Sequence, residues 1–107
     1  MNPKLLKVTF KGKKNSVYSG FEGIYFQSSK SVNHRPNWIQ RNKKNAIWYD
    51  DWNWRWGIGP KDGLGTEEKV LFYSTDDVIG PQHATEWGYE KYKIFTPDDN
   101  IIVEAGN

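Results

Sequence analysis

The segment from Ala46 to Gly59, AIWYDDWNWRWGIG, holds four tryptophans and a tyrosine in fourteen residues, and it constrains the fold more than any other stretch. Two aspartates divide its two aromatic runs, so the segment predicts a β-hairpin with its turn at Asp50-Asp51. Because alternate side chains of a strand share a face, the even-numbered residues from Trp52 to Ile58 are expected on one side of the sheet.

The tryptophans divide into an expected core set and an exposed remainder. Ile58 marks its side as the core, so Trp56 and Trp54 are predicted to be buried with it. Trp52 lies at the turn, where the sheet has little left to cover it. On the preceding strand, Trp48 and its neighbour point to opposite faces, so one of those faces is accessible or covered by a second layer. We expect about three or four of the six tryptophans to be structural.

The rest of the chain has the pattern of short strands separated by turns. Candidate strands cover 5–10, 23–27, 37–40, 46–49, 53–59, 69–74, 87–95 and 100–104. The run 87–95 alternates cleanly and is expected to be one longer strand, while 75–86 has room for a helical turn capped by Thr75. About eight short strands predict an all-β fold, a small antiparallel sandwich or barrel that forms a single domain over residues 1–107.

Composition and spacing narrow the classes of function. Cysteine is absent, which excludes disulfides, thiolate catalysis and the common zinc frameworks. No apolar run is long enough for a membrane span and lysines interrupt the apolar N-terminal patch, so a cytoplasmic location is favoured. His34 and His83 lie far apart with no carboxylate at ligand spacing. We therefore expect no metal, no cofactor and no enzyme activity.

The two halves of the chain carry opposite charge. Residues 1–45 hold ten Lys or Arg and one acid, a net +9, whereas residues 46–107 hold five basic and twelve acidic residues, a net −7. The halves either neutralise each other within one fold or form a dipole that steers a charged partner or stacks copies head to tail. The basic clusters at 11–14 and 41–44 are short and lack a nucleic-acid-binding signature, so nucleic acid is not the expected partner.

The turn at Asp50-Asp51 is the candidate binding site. An exposed indole offers its face to a sugar or its bulk to a protein, and neighbouring carboxylates and amides can bind sugar hydroxyls. The candidate ligand-binding residues are Trp52, Asp50, Asp51, Asn53, Arg55 and Arg35. A turn with a purely structural role is the alternative.

Several short motifs follow one another in a familiar order: NHRPNWI, AIWY, WRWGIG, GLGT, FYS and WGYEKYKIF. Together they resemble a poorly characterised small β module of multidomain proteins in algae, protists and marine invertebrates. The matching positions are Arg35-Pro36, Trp48-Tyr49, Trp56-Gly57-Ile58-Gly59, Leu64-Gly65 and Trp87. His34 stands where that module usually has glycine, which leaves the shape of this loop open. The resemblance implies a module for binding or display, in which Arg35 lies over a tryptophan ring or pairs with an acid.

Two functions remain open from the sequence. The first is a non-catalytic recognition module that binds a protein partner or a glycan through exposed aromatic and charged turn residues. The second is a structural subunit of a larger assembly that docks, or associates with itself, through its charged halves and sheet edges.

Overall fold

The computed structural model describes residues 2–12 and 16–106, and within them it confirms the predicted all-β class. The nine strands of this part of the chain are β1 Leu5–Phe10, β2 Gly23–Gln27, β3 Trp38–Gln40, β4 Asn45–Asp50, β5 Arg55–Pro60, β6 Phe72–Ser74, β7 Trp87–Lys91, β8 Ile94–Pro97 and β9 Ile101–Ala105. One helical turn, α1 Ser16–Ser19, and two short 3₁₀ segments, Lys61–Gly63 and Pro81–His83, lie between them.

All nine described strands belong to one antiparallel sheet in the order β8-β7-β6-β5-β4-β3-β2-β1-β9. The sheet curls into a half-barrel, because side chains from strands near both of its ends meet in a single core. The 3₁₀ segment Pro81–His83 packs against β9, one edge of the sheet, and helps to cover the opening between the two edges of the half-barrel. The buried side chains of the inner face include Leu6, Val8, Tyr25, Trp38, Ile47, Trp56, Ile58, Phe72, Trp87 and Val103. One curled sheet therefore provides the core that a two-layer sandwich would otherwise form.

The structure corrects the prediction of one long strand over 87–95. That run is a hairpin, in which β7 and β8 pair across a turn at Tyr92-Lys93. Both turn residues have positive φ, 54° and 64°, as a tight two-residue hairpin turn requires. Asn and Gly are the usual residues there, so Tyr-Lys gave no local signal. The predicted strand at 69–74 is also shorter than expected, and the helical turn in 75–86 is capped by Gly80, not Thr75.

The outer face of β4 and β5 is covered by the segment 61–71. Trp48 points to this face and is fully buried, and its indole N–H donates to the carbonyl of Thr66 at 3.0 Å. Gly59 allows the segment to lie close to the sheet, because a Cβ there would collide with the carbonyl oxygen of Lys69. Both faces of the β4–β5 hairpin are therefore covered. The second layer that the sequence allowed for is the segment 61–71, which connects β5 to β6.

Candidate functional site

The hairpin between β4 and β5 turns through four residues, Asp51 to Trp54, and Asp50 organises it. Asp50 lies directly opposite Arg55 across the two strands, and its side chain is 1% exposed. One carboxylate oxygen accepts the backbone N–H groups of Trp52 at 3.1 Å and Asn53 at 3.3 Å. The other accepts Arg55 Nε at 2.8 Å and Asn53 Nδ2 at 2.9 Å. Asp50 therefore fixes the turn from inside and is not available to a ligand.

Two indole side chains are exposed to solvent at this turn. Trp52 is 75% exposed and Trp54 is 76% exposed, and we refer to the pair as the hairpin tip. The prediction that Trp54 is buried is wrong, because the strand begins only at Arg55 and Trp54 takes a φ of +56°. That left-handed conformation removes Trp54 from the strand alternation that buries Trp56.

The remaining four tryptophans are structural, a number that agrees with the three or four expected from the sequence, although Trp54 was expected among them. Trp38, Trp48, Trp56 and Trp87 are each no more than 2% exposed. Three of them donate their indole N–H groups to backbone carbonyls: Trp38 to Pro3, Trp48 to Thr66 and Trp56 to Val78. The exposure of the hairpin tip is therefore a local feature of the turn and not a general property of the tryptophans in this fold.

A groove of about 490 Å³ lies beside the turn on the outer face of β5, β6 and β7. We call it the acidic groove, and its polar lining residues are Asn53, Arg55, Glu67, Glu68, Tyr73 and Glu90. Asn53 connects it to the turn, because its amide nitrogen donates to a carboxylate oxygen of Glu67 at 2.9 Å. The guanidinium carbon of Arg55 lies 4.0 Å from the centre of the Tyr73 ring and so forms part of the groove wall.

The charge of the groove is negative. Arg55 does not neutralise the three glutamates of the groove, because its own charge is paired with the buried carboxylate of Asp50. Burial raises the pKa of the Tyr73 phenol above its usual value, the negative charge of Glu90 raises it further, and Arg55 partly offsets both. Tyr73 is therefore a neutral hydroxyl at physiological pH, and the groove presents an excess of carboxylate to any ligand.

Arg35 is not part of this arrangement. Its guanidinium carbon lies 3.9 Å from the centre of the Tyr49 ring, and that ring packs edge-on against Trp56 on the inner face. Tyr49 and Asp50 are neighbours on β4 and point to opposite sides of the sheet, so Arg35 and Arg55 lie on opposite faces. Arg35 makes the aromatic contact that was expected, but with Tyr49 and not with a tryptophan. This contact lies beside the core residue Trp56 and not at the turn.

Of the turn residues that the sequence grouped as ligand-binding, Trp52, Asn53 and Arg55 lie at the candidate site, and Asp51 is exposed on the same turn. The prediction that Asp50 binds a ligand is wrong, because its carboxylate is buried and bonded within the turn. The sequence did not group with the turn the residues that come to it from elsewhere: Glu67 and Glu68 from the covering segment 61–71, and Tyr73 and Glu90 through the pairing of β5 with β6 and of β6 with β7. The sequence did contain one signal that Trp54 is exposed. Asp50 and Arg55 can form a favourable cross-strand pair, and this pairing leaves residues 51–54, including Trp54, in the turn.

Comparison of the chain with protein-family models, with curated proteins and with solved structures finds no match. Within residues 2–12 and 16–106, no helix is long and apolar enough to cross a membrane. The same residues contain no group of three or more His, Cys, Asp or Glu side chains arranged to hold a metal ion.

Proposed function

We propose that the protein is a non-catalytic recognition module that binds a positively charged protein segment through the hairpin tip and the acidic groove. The observation that carries this proposal is the exposure of Trp52 and Trp54 on a turn held by a buried carboxylate. An indole buries about 150–250 Å² when a partner covers it, so each of these largely exposed rings offers a large apolar area for binding. Two such rings on one turn give a partner a large apolar anchor.

The turn is rigid before any ligand arrives. Asp50 makes four hydrogen bonds within it, and Asn53 ties it to Glu67. Because these contacts hold the backbone that carries both indoles, a ligand loses little affinity to the ordering of this loop. Preorganisation of exposed aromatic residues is typical of binding surfaces and has no evident use in a purely structural turn.

The charge of the groove selects the class of ligand. Glu67, Glu68 and Glu90 attract a cation, and the faces of the adjacent indoles also attract cations through the ring quadrupole. Lys and Arg side chains carry a cation at the end of an apolar stem, which matches a groove lined both by carboxylates and by the apolar Val70 and Leu71. A basic protein segment therefore fits this surface better than an acidic peptide or a nucleic acid.

The resemblance to a small β module supports the same view. Its motif residues in this chain are scaffold: Trp48, Trp56 and Trp87 are buried, and Gly59 lets the covering segment approach the sheet. The resemblance therefore concerns the scaffold, whereas the proposed site is formed by the hairpin tip and the acidic groove.

The proposal is tested by isothermal titration with hexalysine, a neutral Gly-Ser peptide and a neutral gluco-oligosaccharide. Hexalysine is expected to bind, and Trp52→Ala and Trp54→Ala are each expected to weaken binding about two- to fivefold, as loss of an exposed cation–π contact implies. Tyr92→Ala is the matched control, because Tyr92 is 88% exposed and has nearly the same φ, 54°, in another hairpin turn. Neither tryptophan variant should change stability by more than about 0.5 kcal/mol.

Two results would overturn this proposal. Hexalysine that binds the double variant of Trp52 and Trp54 as tightly as the parent protein would place the cation site elsewhere. Binding of the oligosaccharide in place of hexalysine, with loss in the same double variant, would identify the tip as a glycan site and refute the charge argument.

A further inference from the structure

A second surface lies on the outer side of β9, β1, β2 and β3. The pairings Leu5–Phe26 and Phe26–Ile39 bring three apolar side chains together there, with Ile24 adjacent on β2. Phe26 is 42% exposed, whereas Trp48 lies buried under the segment 61–71. We call this surface the basic face.

The charged residues of the basic face are mostly cationic. Its shallow grooves are lined by the cations Lys7, Arg41, Lys43 and Lys61 and by the carboxylates Glu22 and Glu104. The guanidinium carbon of Arg41 lies 5.7 Å from the centre of the Phe26 ring, so a cation borders the exposed aromatic ring of this face. The basic face thus combines an apolar centre with an excess of positive charge, the inverse of the acidic groove.

We infer that a second copy of this chain is a partner of the site, and that it docks its basic face against the hairpin tip and acidic groove of the first. This inference rests on the proposed function, since it names an occupant for the same site. Three groove glutamates meet a face with four cations and two carboxylates, and the exposed indoles meet an exposed phenylalanine. Opposite patches of this kind steer association and fix its register.

The geometry makes the contact head-to-tail. Both surfaces lie on the convex side of the sheet, with β4 and the covering segment 61–71 between them. Lys61 at the start of that segment lines the basic face, and Glu67 and Glu68 near its end line the groove. One chain cannot bring its own groove onto its own basic face, because both surfaces are built on the same sheet. Contact between unlike patches is heterologous and leaves one free patch at each end of a pair.

The first test is light scattering after size exclusion, over a range of protein concentrations, at about 50 mM and about 0.5 M salt. At low salt the mass is expected to exceed that of one chain and to rise with concentration, and at high salt it should return to one chain. Addition of hexalysine at low salt should also dissociate the copies, because it competes for the same groove. A monomer under both salt conditions would overturn the inference and leave the hexalysine site of the proposed function intact.

The second test is complementation between two charge-reversed variants. Arg41→Glu/Lys43→Glu disables the basic face, Glu68→Lys/Glu90→Lys disables the groove, and each variant alone is expected to be monomeric at low salt. Mixed together they retain one intact surface of each kind, and their reversed patches also carry opposite charge, so the mixture should associate again at low salt.

The control is Lys30→Glu/Lys93→Glu, which makes the same change in charge outside the basic face and should leave self-association at low salt unchanged. Lys93 matches Lys43 closely, since both have a φ of 64°. A mixture that stays monomeric, or single variants that still self-associate, would show that unlike patches do not meet and would overturn the inference.

Discussion

Replacing Asp50 by alanine tests whether one buried carboxylate holds the recognition turn together. Breaking a buried ion pair by removing one partner typically costs about 3–5 kcal/mol. Here the remaining cation, Arg55, is 14% exposed and water can reach the turn N–H groups, so we expect the lower end, about 3 kcal/mol. For a domain of about 100 residues this corresponds to a fall in Tm of roughly 12 °C or more. Asp51→Ala, at the exposed neighbouring position, should change stability by less than about 0.5 kcal/mol.

The assay is urea unfolding followed by tryptophan fluorescence, with Asp50→Ala, Arg55→Ala and the double variant completing a thermodynamic cycle. The contact of Arg55 with Tyr73 is lost in both variants that lack Arg55, so it cancels from the coupling energy. We expect a coupling of about 2 kcal/mol, as for a hydrogen bond between charged groups in a buried setting. A coupling below about 0.5 kcal/mol would be that of an exposed surface pair and would refute the claim that this pair organises the turn.

Two further predictions concern the scaffold. Gly59→Ala should destabilise the protein by about 1–3 kcal/mol in urea unfolding, because the added methyl meets Lys69 and Trp48, and a neutral effect would contradict the close approach. The backbone N–H of Thr85 donates to the Asp76 carboxylate and lowers the pKa of that group. The ionised carboxylate therefore stabilises the fold at pH values above its unfolded pKa of about 3.9. This stabilisation is lost as the pH falls through the lower pKa of the folded state. The Tm of Asp76→Asn should therefore fall less steeply than that of the parent protein as the pH is lowered from neutral to acid. An equally steep fall of Tm in both proteins would argue against the contact.

The fold was predictable where glycine turn signals bound a run of strand-forming residues. The strands at 5–10 and 23–27 have the predicted bounds, because both are rich in aliphatic and aromatic residues and lie next to glycine turns. The hairpin at 87–97 was not predictable, since its turn residues, Tyr92 and Lys93, have no intrinsic preference for positive φ and are held there by pairing of β7 with β8. Tertiary pairing overrode local propensity at that point.

The candidate site shows the same division. The turn from Asp50 to Arg55 is contiguous, so its residues could be grouped from the sequence alone. Trp54 was misplaced because alternation was extended past the point where the strand pairing ends, at Asp50 and Arg55. Glu67 and Glu90 lie far from the turn in sequence, and only the order of strands in the sheet brings them to one groove.

The central claim is that the two exposed indoles form the binding surface, and the indole N–H signals of isotope-labelled protein during a hexalysine titration test it most directly. The six tryptophans give one such signal each, and those of Trp38, Trp48 and Trp56 serve as internal references because their N–H groups are bonded to backbone carbonyls. The account predicts that the signals of Trp52 and Trp54 shift together with saturating dependence on peptide while the references stay fixed. Movement of the references without movement of Trp52 and Trp54, or no movement of any signal, would contradict it.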